Sequence, residues 1–188
     1  LTTSGLHDLA NNLSGQPVRL PEPLMRLGTI NFTGEIAGFA DKLTAHGKLA
    51  SSIGSLQLDV AFGAERERNI AAFLQGKIAS TELRLHELFG AHNPFGKALF
   101  QIDLNSHKPM EGQFRVMIAA NIQAFDYKGY TYHDLQLNGT FNSNRFDGTI
   151  QLDDPNGQLY AEGLFQHQPN NSQFDFTARL THFRPDQL

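Results

Sequence analysis

The side chains able to do chemistry in this chain are 8 histidines, 19 carboxylates and 4 tyrosines, with no cysteine among 188 residues. A zinc site needs imidazoles at short, repeated spacings. His7, His46, His86, His92, His107, His133, His167 and His182 form neither HExxH nor an i, i+4 pair, and no acidic run stands beside His86 and His92. No metal is expected. Asp126 and Asp134 flank FDYKGYTYHD and could meet across that hairpin as an acid/base pair, although charges beside a turn serve equally to keep a strand edge soluble. In LDDPNG, the oxygens of Asp153, Asp154 and Asn156 lack the alternation and closing Glu of a calcium loop. A hairpin turn is expected there, with Pro155 setting φ and Gly157 supplying a positive one. The chain has no GxSxG elbow, P-loop or Rossmann fingerprint, so neither an enzyme nor a cofactor is expected. Tyr127, Tyr130 and Tyr132 alone suggest an aromatic platform for sugar.

Composition narrows the classes further. A compact globule of this length is one domain that buries roughly 70% of its unfolded surface. With 40% hydrophobic and 18% charged residues and a net charge of −4, the chain gathers no basic patch against phosphate, so nucleic acid is excluded as a partner. The absence of cysteine removes disulfides and thiol chemistry, which suits a reducing compartment or a periplasmic protein built without bridges. No apolar run reaches the roughly 18 to 20 residues that span a bilayer. A chain opening on Leu1 carries neither a start codon nor a signal peptide and is expected to be a piece of a longer polypeptide.

The elements that would carry these side chains are nearly all strands. Residues 1–28 read as a short helical cap or linker: Leu6, Leu9, Ala10 and Leu13 make a helical stripe from Ser4 to Gly15, and Pro21, Pro23 and Gly28 bracket a further turn. From 29 to 188 the period changes to two. TELRLHELFG, Thr81–Gly90, suits either a helical turn or a strand. The last third is cleanest, with strands around Leu135–Phe141, Phe146–Leu152, Leu159–Phe165 and Phe174–Leu180 separated by the turns NSNR, DPNG and QPNN. This reads as an antiparallel meander with one apolar and one wet face.

Within the strands, the pattern apolar-x-Gly-x-apolar occurs seven times, placing Gly34, Gly47, Gly76, Gly112, Gly139, Gly148 and Gly163 on the apolar side. Glycine weakens a strand. It is expected where the sheet curls or where something must lie close to the backbone, and both describe an elongated, sharply curved all-β sheet with a narrow apolar interior.

The stretches LPEPLMRLGTINFTGEIAGF, FDYKGYTYHDLQLNGTFNSNRFDGTIQLDDPN and FDFTARLTHFRPDQL resemble the TamB family, the AsmA-like proteins of diderm bacteria, and are most similar to its Bacteroidetes branch. The resemblance covers about Pro21 to Leu188. Its most specific element is Tyr127–Tyr132 followed by Leu135-x-Leu137-x-Gly139. It implies an internal stalk segment in the periplasm, part of a long inner-membrane-anchored polypeptide folded as a half-pipe (a β-taco). The family is linked to phospholipid transport between the two membranes and, through a BamA-like outer-membrane partner called TamA, to outer-membrane protein assembly. This chain contains no anchor and no identifiable docking portion for TamA. The rest of the same polypeptide would meet the sheet at its edges.

On that reading, acyl chains would lie along a groove lined by Leu137, Gly139, Phe141, Phe146, Gly148, Ile150, Leu152, Ala161, Gly163, Phe165, Phe174 and Phe176, the small residues leaving room for a tail. The same residues could instead pack against one another as the core of a β-sandwich. Two further alternatives stand: a scaffold that binds client strands at open sheet edges, and a carbohydrate-binding β-sandwich resting on the tyrosines.

Overall fold

The computed structural model describes residues 26–39, 41–65, 69–90, 93–142, 145–166 and 173–184. The expected helix at Ser4–Gly15, the prolines at 21 and 23 and the turn at QPNN lie outside the described residues, as do His7, His92 and His167. Gly28 does end a turn, at φ +66°.

Ten strands form one antiparallel sheet in sequence order: β1 (Asn31–Phe39), β2 (Lys42–Ser51), β3 (Gly54–Glu65), β4 (Ile70–Arg84), β5 (Phe95–Pro109), β6 (Arg115–Tyr127), β7 (Tyr130–Asn142), β8 (Arg145–Asp154), β9 (Gly157–Gln166) and β10 (Gln173–Thr181). Every strand pairs with its sequence neighbours, so β1 and β10 are the outer strands and the sheet is open. The ambiguous segment divides between the two expectations. Leu83 is a buried strand residue just before β4 ends at Arg84, and Leu85–Phe89 make one short helix, α1, closed by Gly90 at φ +103°.

Register turns the period-two pattern into rows. One row crosses all ten strands as Gly34, Gly47, Leu58, Ile78, Ile102, Ala120, Leu137, Ile150, Ala161 and Ala178. Three more rows share its face, running from Phe32 to Leu180, from Ile36 to Phe176 and from Gly38 to Phe174. In all four, the only polar residues are Ser80 and Ser106. The intervening rows belong to the opposite face and are mostly polar, as in Glu35, His46, Asp59, Lys77, Asp103. A one-residue slip in any strand would transpose the two faces, so this pattern holds the register. Bulges occur only outside the four rows, near Thr81 in β4 and Gln123 in β6 and toward the strand ends.

The main buried cluster is small and lies at one end of the apolar face. Leu27, Ile30, Ile53 and Leu83 cluster there, with Leu49, Leu56 and Phe100 of the sheet and Leu85 and Leu88 of α1 packed against them. The segment around Leu27–Ile30 and α1 therefore cover the face over β2 to β5.

Candidate functional site

All twelve residues singled out as groove lining fall on this one face, in contiguous positions of β7 to β10. Leu152 belongs to the row of Leu180; Leu137, Ile150 and Ala161 to the row of Gly34; Gly139, Gly148, Gly163 and Phe176 to the row of Ile36; Phe141, Phe146, Phe165 and Phe174 to the row of Gly38. Only Phe146 is buried. Phe174, Phe176, Phe165 and Phe141 are 60%, 52%, 38% and 36% exposed, and the rest are half-buried. A packed sandwich core would bury large residues in the middle of its strands almost completely. An apolar face this wide and this accessible is instead the kind of surface that binds something.

The glycines have a local cause. A Cβ at Gly148 would lie 2.2 Å from the Asn138 carbonyl oxygen and 2.6 Å from Gly139 Cα; one at Gly163, where φ is +143°, would lie 2.3 Å from the Asp175 oxygen. Neighbouring backbone, not empty space, fills these positions. Above Gly139 and Gly148 lies the ring of Phe146, so the notch between β7 and β8 is already occupied by an aromatic side chain, a pairing that shields glycine backbone in sheets. The room for an acyl tail that glycine was expected to leave is therefore not found at this notch. Of the seven patterned glycines, Gly112 departs from the rest. It lies in the β5–β6 connection and on no strand.

The two serines of the apolar face behave differently. Ser106 Oγ donates to the Leu74 carbonyl at 2.9 Å, whereas buried Ser80 Oγ has no partner among the described residues. Neither was anticipated, although a lone polar residue in an otherwise apolar alternation is a signal the sequence does contain.

Beyond the row of Leu152, Leu159 and Leu180, at the same strand end as the buried cluster, lies a polar cleft of about 590 Å³ lined by His133, Asp134, Asp153, Asp154, Pro155, Gln158, His182 and Arg184. Its anchor is Asp154, which is buried and accepts hydrogen bonds from Tyr130 Oη at 2.6 Å and from the N–H groups of His133 and Asn156 at 2.9 Å. Burial opposes ionisation of this carboxyl, but these donors and the His133 imidazole outweigh it and hold its pKa below the ordinary value. Accepting from Tyr130 in turn raises the phenol, which must keep its proton to donate. The expected hairpin turn is present at Pro155–Asn156. Gly157, however, has no positive φ; it is buried, and a Cβ there would come within 3.3 Å of Phe183. Two residues suffice for this turn because Asp154 caps Asn156, so glycine serves packing.

Asp126 and Asp134 do not meet. Asp126 stands opposite Thr131 and takes hydrogen bonds from Thr131 Oγ1 and the Lys97 N–H, while Asp134 lies three pairs further along the hairpin. Both are on interior strands, so edge protection is not their role either. Tyr127, Tyr130 and Tyr132 join Phe95 and Phe125 in one cluster. Phe125 and Tyr132 stack at 5.1 Å, Tyr130 meets Tyr132 edge-on at 4.7 Å and Tyr127 is tilted against Phe95 at 5.1 Å, so the tyrosines pack within an aromatic cluster. Among the described residues, no three His, Asp or Glu converge on a metal-sized space.

Comparison of the chain with protein-family models, with curated proteins and with solved structures returned no match.

Proposed function

We propose that this chain is a periplasmic segment of a TamB-like, AsmA-related protein and that its apolar face shelters phospholipid acyl chains in transit between the inner and outer membranes. The carrying observation is the set of four uninterrupted rows crossing all ten strands, apolar but for two serines and largely uncovered over β7 to β10. Each acyl methylene left in water costs about 0.8 kcal/mol, so a whole tail costs on the order of ten kcal/mol. A face of repeated, equivalent contacts removes that cost without a deep well, so a tail can slide along it. Curled about its strand axis, the sheet would form a half-pipe with the tail inside and the head group at the open seam. The glycines that bring backbone close to backbone favour such curling. On this reading the chain is not an enzyme, uses no cofactor, and leaves any contact with an outer-membrane partner to other parts of the polypeptide.

The direct test is native mass spectrometry of the chain recovered from a bacterial periplasm. Bound phospholipid, lost when Ile150 or Leu137 is made acidic, supports the reading. A chain that carries no lipid and takes none up from vesicles overturns it. The open outer edges of β1 and β10 favour a second reading, a scaffold that pairs with client strands.

A further inference from the structure

The polar cleft wraps round one end of the sheet. Asp154, opposite Gly157, follows Leu152 on the apolar face, whereas Asp153, opposite Gln158, belongs to the polar face. The cleft therefore begins where the last apolar row ends. Phe183 marks the junction, its half-exposed ring lying against Gly157.

The charges of the cleft are sorted by strand. Asp134 lies on β7 and Asp153 on β8, while His182 and Arg184 follow β10. Carboxylates and guanidinium thus come from opposite sides, their backbones two to three strand spacings or about 10–15 Å apart, a gap that the side chains narrow. Hydrogen bonds fix the middle and the far wall: Gln158 Nε2 donates to Asp153 Oδ1 at 2.7 Å, Gln158 Oε1 meets His182 Nδ1 at 3.2 Å, and the Arg184 N–H donates to the Asn156 carbonyl at 2.8 Å. Asp134 and His182 have φ of +50° and +53°, so each turns its side chain out of the strand alternation. The Asp134 carboxylate and the Arg184 guanidinium have no partner among the described residues.

Two unpaired charges of opposite sign on opposite walls suit a ligand that carries both. With His133 and His182 neutral, three carboxylates face one guanidinium, so a purely anionic ligand is repelled. The His and Asp side chains do not converge as metal ligands, which leaves the carboxylates to an organic cation.

We propose that the cleft holds a phosphoethanolamine group, its ammonium on Asp134 and Asp153 and its phosphate on Arg184, as the head of a phospholipid whose tails lie on the adjoining apolar rows. An ammonium and a phosphate two carbons apart, with one hydrogen bond to protein at each end, span about 10 Å. A primary ammonium donates to the carboxylates, and a guanidinium holds phosphate through two N–H groups. A glycerol head group has no cation for Asp134. The inference rests on the reading of the apolar face as a lipid surface and adds which lipid it takes.

The test offers the chain vesicles of equal phosphatidylethanolamine and phosphatidylglycerol, then counts the lipids it retains by mass spectrometry. Wild type is expected to retain the ethanolamine lipid about tenfold over the glycerol lipid. Asp134→Asn keeps a residue that tolerates the positive φ and removes the charge, so the ratio should fall toward one with the chain still loaded. Arg184→Gln should lower both lipids alike, since both carry phosphate. Circular dichroism checks that each variant is folded. A loaded wild type without preference, or a preference unchanged in Asp134→Asn, overturns the cleft assignment and leaves the lipid reading standing. A chain that takes up neither lipid overturns both. Soluble glycerophosphoethanolamine separates the two sources of the group. An excess that leaves the bound lipid in place supports a lipid head-group site, whereas displacement of the lipid would make the free ester the ligand and overturn it.

Discussion

The ring of Phe146 lies on Gly139: a Cβ at position 139 would come within 2.4 Å of its Cε2 atom. Aromatic side chain and glycine are partners across β7 and β8, each filling what the other leaves. Phe146→Ala is expected to lower stability by about 3–5 kcal/mol, the range for emptying a buried phenylalanine site. Gly148→Ala should cost about 1–3 kcal/mol by driving a methyl group against the Asn138 carbonyl. Urea titration measures both. A neutral Gly148→Ala would mean that the strands separate easily at this point.

The same substitution at the two buried serines is expected to act with opposite sign. Ser106→Ala removes a hydrogen bond to Leu74 and should cost about 0.5–1.5 kcal/mol. Ser80→Ala removes a buried hydroxyl with no partner among the described residues and should be neutral or stabilise by up to about 1 kcal/mol. Chemical denaturation of the two variants side by side separates these outcomes.

The Asp154 carboxyl should make stability depend on pH on the acid side. Its carboxyl has a lower pKa folded than unfolded, so the unfolded chain binds more protons. Its contribution is complete above the ordinary carboxylate value and fades as pH falls through the lowered one. Asp154→Asn should cost about 1–3 kcal/mol at neutral pH and flatten the acid limb of the stability curve. Tyr130→Phe should move that limb toward higher pH, because the carboxylate loses its side-chain donor. Thermal melts at a series of pH values report both changes.

The meander itself was legible in the sequence because each strand repeats a single rule. Leu135, Leu137, Gly139 and Phe141 already place themselves on one face, and the hairpins at DPNG and KG fix which strands are neighbours. Helix α1 was half legible, since Leu83 satisfies a strand and Leu85 and Leu88 a helix; the bulge at Thr81 that precedes both leaves no local mark. The role of the glycines was not readable, because whether a Cβ at Gly148 would meet solvent or the Asn138 carbonyl depends on the strand beside it. Tyr130 and Asp154 stood in separate motifs, 24 residues apart, and only the register of β7 on β8 brings them together. The core around Leu27, Ile30 and Ile53 joins turn residues that follow no period.

The apolar face is expected to tolerate substitution unevenly. Ile150→Asp, at the β8 position of the row from Gly34 to Ala178, should reduce phospholipid retention at least tenfold, while Gln151→Asp on the polar face leaves it unchanged. Circular dichroism of both variants distinguishes lost binding from lost folding, and lipid counts by native mass spectrometry give the readout.

The most direct measurement places a photoreactive residue at Ile150, on the apolar face, or at neighbouring Gln151, which is exposed on the opposite face, in the chain exported to the periplasm of a diderm bacterium. After illumination, mass spectrometry should find phospholipid adducts at 150 and none at 151. Equal labelling at both positions, or no lipid at either from a well-folded chain, would contradict the account and return the four apolar rows to a purely structural role.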